Sequence, residues 1–303
     1  MIETKEPLVS IGLPVYNGED FLKDTLESIL QQTFDNFELI ISDNASTDAT
    51  EKICRSYVSK DERIKYHRNE NNLGAAKNYN QLVDMAKGDY FKWAAADDLI
   101  APEYLTLCVD VLDNNPDILI SQTKVRLIDE NSQHIKDYDD HLHFLSEKPY
   151  IRLNNYLFRK VGMWNAIFGL IRIDQLRETP LIGTYISSDQ VLLGELILRG
   201  KVHQIPERLF SRRIHSRQAD GTYNSKSNSR TKAREALAIW FDPDNKGKYQ
   251  LSKYVQHLLS YMNSTHRVSL NWNEKLLSYF CILKWAFDKL FWSKIIRRVK
   301  KII

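Results

Sequence analysis

The chain has 303 residues, 43% of them hydrophobic and 27% charged, with only 11 Gly and 8 Pro, which excludes collagen-like, low-complexity and largely disordered classes. Cys54, Cys108 and Cys281 share no close spacing, which leaves neither a disulfide framework nor a paired-Cys zinc knuckle and fits a reducing, cytoplasmic setting. The formal charge of +3 is uneven: residues 280–303 carry seven Lys/Arg against Asp288 alone, so the rest of the chain is net negative and poorly suited to coating nucleic acid.

In chain order, the segment before Leu8 carries Glu3, Lys5 and Glu6 and is wrongly flanked for a secretory signal. No run reaches the roughly 18 apolar residues that a spanning helix needs. Short apolar or β-branched runs at Leu8–Val15, Phe37–Ser42, Ile64–His67 and Tyr90–Ala95 alternate with helical patterns, the rhythm of βαβ units. Leu22, Leu26, Ile29 and Leu30 share one face of the first helix. Asp48 with Glu51 three residues on reads as a reciprocal cap for the second, ending about Ser59. The third helix is expected over Ala75–Ala86, and the fourth from Pro102 to about Asn114, followed by a strand at Ile118–Val125. Asp129–Lys148 has no clear period and reads as loop. A helix near Asn154–Lys160, a strand at Phe168–Arg172 and a helix at Gln190–Arg199 follow. Residues 216–230 read as a polar loop, and helical patterns dominate from Thr231. The expected division is a first domain over 1–220 and a helical segment over 221–303.

Chemistry-bearing residues gather where these strands end. The first strand runs into Pro14-Val15-Tyr16-Asn17, without the spaced glycines of a dinucleotide fold. The second ends in Asp43-Asn44, at the strand edge where open α/β sheets bind ligands. Asn69 to Gly74, then Lys77 and Asn78, join the third strand to its helix; Gly74 permits close backbone approach, and Lys77 has both a phosphate-binding and a solvated-surface reading. The fourth strand ends in Ala96-Asp97-Asp98, and adjacent carboxylates there suit Mg2+ or Mn2+ shared with phosphates, Asp98 having also a helix-capping reading.

Together with Leu30-Gln31-Gln32-Thr33 and Ser42 to Asp48, these motifs resemble family 2 glycosyltransferases over about residues 7–215. The resemblance implies a GT-A-like α/β fold, Rossmann-like with a mostly parallel central sheet flanked by helices, and a C-terminal helical segment. It also implies inverting transfer of a sugar from a nucleoside diphosphate, UDP by family habit, to a glycan or lipid-linked acceptor. Pro14, Tyr16, Asn17, Asp43, Asn44, Asn72, Gly74, Lys77, Asn78, Ala96, Asp97 and Arg213 would then bind the nucleotide-sugar, with Asp97 and His215 holding Mn2+ or Mg2+. Arg212 or Arg213 would balance leaving-group charge. Asp189 aligns with the family's general base, against its local reading as a helix cap, while Ala95 and Ser188 stand where the family carries acids. Those two departures motivate a rival reading as a catalytically weak sugar-nucleotide-binding or assembly protein; a nucleotidyltransferase is disfavoured by the loop after strand one. The signature of processive synthases, Gln-any-any-Arg-Trp, is absent.

Trp164 and Asn165 are acceptor-binding candidates, with plain core as the alternative for the apolar stretch that holds them. At the end of the chain, Phe291, Trp292, Ile295, Ile296, Val299, Ile302 and Ile303 fall opposite five Lys/Arg on a helical wheel, the pattern of a helix lying on an anionic membrane.

Overall fold

Strands β1 (Val9–Val15) and β2 (Phe37–Asp43) are buried at every residue. A strand covered on both faces belongs inside a sheet sandwiched by helices, and a computed structural model of the chain has that architecture. It describes residues 6–159, 163–216, 230–248 and 251–292. The order along the sheet is β3-β2-β1-β4-β8-β6-β9-β5, with β7 paired to β6, nine strands among the described residues. Here β3 is Ile64–Arg68, β4 Tyr90–Trp93, β5 Leu99–Ile100, β6 Ile118–Ile128, β7 His134–Tyr138, β8 Leu170–Arg172 and β9 Lys201–Arg213. The half built from β3, β2, β1 and β4 is parallel throughout, while β8 runs antiparallel between β4 and β6. Because β2 and β3 lie on one side of β1 and β4 on the other, the order reverses at β1, and the crevice at the carboxyl ends of these strands is where such sheets take ligands.

Two cores form on the two faces. Leu39 and Ile41 point to one side and Ile40 to the other, the period of two that a pleated strand imposes. Helices α1 (Leu22–Leu30), α2 (Thr50–Val58) and α4 (Tyr104–Asn114) cover the first face through Leu22, Leu26, Cys54 and Cys108. Helices α3 (Ala75–Met85), α5 (Pro149–Phe158) and α7 (Ser188–Arg199) cover the second, where nearly all of α7 from Val191 to Leu198 is buried. The short α6 (Ile173–Arg177) follows β8 directly. Helices α8 (Arg230–Phe241), α9 (Lys253–Arg267) and α10 (Trp272–Phe287) share this second core: Phe241, Tyr261, Cys281, Ile282 and Trp285 belong to it. The three cysteines are buried and unpaired, one each in α2, α4 and α10.

Several local expectations are corrected. Residues 129–148 contain β7, whose four exposed residues hide the alternation that marks a strand. The helix expected near Asn154 begins at Pro149, a favourable first-turn residue. Asp48 makes no reciprocal cap with Glu51; it accepts from the Thr50 and Glu19 amides, while Glu51 pairs with Arg55 and Arg68. Asp98 does not cap α4, which starts at Tyr104; its carboxylate accepts instead from the Arg213 amide at 2.9 Å.

Candidate active site

At the end of β1 the chain turns through Asn17 in the left-handed region, φ 51°. The Asn17 amide donates to the Ser46 hydroxyl at 2.9 Å, and its side-chain oxygen accepts from Thr47 N at 2.8 Å, tying this turn to the one after β2. Tyr16 beside it is exposed, whereas Pro14 is buried within β1. Asp43 is fully buried at the end of β2, with one oxygen accepting from Ser46 N at 2.8 Å and the other from the Tyr66 hydroxyl at 2.7 Å. Arg68, from the end of β3, approaches Asp43 to 3.7 Å with a buried Nη1 that makes no hydrogen bond. Sequence reasoning did not single out Arg68. A basic residue closing a strand before Asn69 was the available signal.

The asparagines expected to touch ligand mostly hold the loop together. Asn78 is buried; its amide oxygen accepts from Ser42, Asn69 and Gln81 and its nitrogen donates to the Ser42 carbonyl. Asn44 donates to Asn72 and accepts from Asn69 and Leu73 N, so its donors and acceptors face inward too. Asn72 stays exposed while its oxygen caps Gly74 N at 2.9 Å. Gly74, at φ 81°, lies where a Cβ would come within 2.7 Å of the Phe241 carbonyl, so its close approach is to the C-terminal segment. Lys77 pairs with Asp244 at 3.3 Å and Asp242 at 3.7 Å of that segment.

Asp97 and His215 meet. His215 Nε2 lies 2.9 Å from Asp97 Oδ2, and its ring packs 4.7 Å from that of Phe21. Ala96 precedes them, half-buried near the Gly18 entrance to α1. Asp98 lies beneath, where burial and then the adjacent Asp97 push its pKa up to about 8. Arg213 departs from the expectation of a ligand contact. Its side chain is fully buried, and its guanidinium donates to the carbonyls of Asp97, Asp129 and Glu130, to Ser132 and to Asp24. Those donors are spent on organising the carboxylate turn. Arg212, on the opposite face of β9, is the half-buried one, and its charge acts on both Asp98 and Tyr79.

Asp189 sits in the first turn of α7, entered through Ser187 at φ 62°. Tyr79 has its hydroxyl pKa raised by burial and then by the charges of Asp97, Asp98 and Asp189. Ser188 is buried and donates to the Gly183 carbonyl at 2.7 Å. The C-terminal helices brace this turn: Lys253 donates to Ser187, His257 to the Ile186 carbonyl, and Tyr261 to that of Gln190.

The acceptor-binding expectation is corrected at Asn165, which is buried with its amide committed to Asp140 and Arg212. Trp164 has the Arg159 guanidinium 3.7 Å over its ring and the Tyr156 ring edge-on at 5.2 Å, so one face is already covered.

The sequence profile of Glycosyl transferase family 2 matches residues 10–178. An uncharacterised glycosyltransferase of Methanocaldococcus jannaschii is 37% identical over 138 residues, 45% of this chain and 48% of that protein. One from Haemophilus influenzae is 28% identical over 232 residues, 75% of this chain and 71% of that protein. The chain thus spans about half the length of the first relative and more of the second. Among solved structures, residues 1–349 of S. aureus TarS in complex with UDP superpose with a TM-score of 0.55 at 17% identity, over 93% of this chain and 90% of that one. The mannosyltransferase PcManGT of Pyrobaculum calidifontis, in complex with GDP-Man and Mn2+, gives 0.53 at 13% identity, over 95% and 88%. The fold is therefore GT-A-like, and the chain belongs to glycosyl transferase family 2.

Proposed function

We infer that the protein moves one sugar from a nucleoside diphosphate, most simply UDP, to a hydroxyl of a glycan or lipid-linked acceptor with inversion at the anomeric carbon. The observation that carries this reading is the Asp97 carboxylate, presented just after β4 at the crevice, with His215 Nε2 2.9 Å from its Oδ2. Asp189 takes the acceptor proton as that oxygen attacks opposite the departing diphosphate, and Arg212 balances the charge that leaves. We assign the nucleobase to the end of the crevice at Asp43 and Arg68, a reading supported by their 3.7 Å approach at the ends of β2 and β3. The TarS and PcManGT complexes with UDP and with GDP-Man and Mn2+ support a nucleotide-sugar and a divalent metal.

One carboxylate oxygen beside one imidazole nitrogen fits Mn2+ or Mg2+ sharing its shell with phosphate and water. Among the described residues no group of three His, Cys, Asp or Glu forms a metal cage. When bound, the cation neutralises diphosphate charge. Asp189→Asn is expected to keep donor binding while lowering kcat by roughly 10²-fold or more, the scale of losing a positioned base. Equal losses of affinity and rate, or a product with the donor's anomeric configuration, would refute the assignment.

A second reading concerns the membrane. Among the described residues no helix is long and apolar enough to cross one. Yet Leu276, Phe280, Leu283, Phe287 and Phe291 form an exposed apolar stripe along and just beyond α10. From Trp272 onward the sequence holds eight Lys/Arg and two acids, a charge suited to anionic headgroups and repulsive to a second copy. The last residues, from Ser293, lie outside the described structure. Full-length protein should bind phosphatidylglycerol vesicles at low salt and release as salt rises. Phe280→Ser/Phe287→Ser should abolish that binding, whereas concentration-dependent self-association without vesicle binding would refute it.

A further inference from the structure

What holds Arg212 in place is a chain of hydrogen bonds leading away from the crevice. Its Nη1 donates to the side-chain oxygen of Asn165 at 3.0 Å. The backbone N–H and Nδ2 of Asn165 then donate to the two oxygens of Asp140, each at 3.0 Å. Asp140 is fully buried in the loop after β7, and the Arg159 guanidinium, seated over Trp164, donates to its carbonyl at 3.3 Å. An asparagine amide has a donor end and an acceptor end of nearly the same shape, so something must choose between its two orientations. An ionised carboxylate can only accept. It therefore pins the nitrogen end of Asn165 and leaves the oxygen end for Arg212; the flipped amide would set two donors face to face.

We propose that Asp140 is a positioning residue which, through the orientation of Asn165, fixes Arg212 where it meets the charge of the departing diphosphate. This rests on the glycosyl-transfer reading and adds to it a residue 25 positions from Asn165, in a loop that carries no motif of the family resemblance. The charged groups facing Asp140 are Arg159 and Arg212; both favour its carboxylate against the burial that pushes its pKa up to about 6. Below that pH the carboxyl becomes a donor and the choice of amide orientation is lost.

The test uses the full chain and release of nucleotide from UDP-GlcNAc or GDP-mannose, whichever the wild type turns over. Asp140→Asn should lower kcat about 10- to 100-fold, the cost of misplacing a charge-balancing group, with donor KM within about threefold. Arg212→Ala should cost at least as much, and the double variant should be no worse than Arg212→Ala alone, because both act through one group. The acid limb of the kcat profile near pH 6 should disappear in Asp140→Asn. Wild-type kcat in Asp140→Asn, or losses that multiply in the double variant, would overturn the inference and leave the enzyme assignment intact. If Asp140→Asn does not fold, Asn165→Ala carries the same expectation, and full activity there overturns it. A wild type that releases nucleotide from neither sugar refutes the donor reading, and the inference with it.

Discussion

Asp97 and Asp98 are adjacent in sequence and opposite in circumstance. Asp97 is open enough to reach His215, whereas Asp98 is buried with a pKa pushed up to about 8 and its oxygen turned to the Arg213 amide. A neutral amide imitates a protonated carboxyl better than a cation-binding carboxylate. Asp97→Asn should therefore abolish metal-stimulated turnover, while Asp98→Asn keeps a larger share, as nucleotide release with and without chelator would show. Arg68 gives a separable expectation. Its buried Nη1, 3.7 Å from Asp43, makes no hydrogen bond, so on the proposed placement of the nucleobase Arg68→Ala should raise donor KM roughly tenfold, the cost of about one charge-assisted hydrogen bond, with kcat nearly unchanged. A fall in kcat at constant KM would move Arg68 out of the base pocket.

At the scale of elements, α9 ties the C-terminal helices to the turn that carries Asp189. His257 donates to the Ile186 carbonyl from a buried position, and burial lowers its pKa to about 4. The folded state thus excludes a proton that the unfolded chain binds near its ordinary value of about 6.5, so this contribution to stability is present above that pH and lost as pH falls toward 4. His257→Gln, which keeps a donor without titrating, should flatten the loss of Tm between pH 6.5 and 4.5; an unchanged slope would assign the acid sensitivity elsewhere. The parallel half was legible because its buried strands are rich in apolar and β-branched residues, and the ends of β2 and β4 then located Asp43 and Asp97. By contrast β7 reads His-Ile-Lys-Asp-Tyr with four residues exposed, and no periodicity betrays it. The roles of Asp140, Asn78 and Arg213 depended on partners far along the chain, such as Asp24, 189 positions from Arg213. Nothing local distinguishes a side chain that reaches a ligand from one that spends the same atoms inside.

For the whole molecule, the sharing of one core by the sheet, α7, α9 and α10 means that the C-terminal helices cannot leave without exposing apolar surface around Tyr261, Ile282 and Trp285. The three cysteines divide this body into separately observable parts. Cys54 and Cys108 lie under the opposite face at 0% exposure, with thiol pKa values pushed by burial to about 12 and about 11. Cys281 sits on α10 at 8% exposure, with a pKa raised less strongly. A thiolate reagent therefore reports openings of the structure instead of its resting surface. Labelling should be biphasic, with Cys281 reacting first as α10 lifts and the other two only when the sheet itself comes apart. Mass spectrometry of the labelled peptides would order these events, and early modification of Cys54 or Cys108 would show that the parallel half, not the C-terminal helices, opens first. The protein thus carries a chemical clock whose hands are wound at different free energies, readable without any knowledge of its substrates.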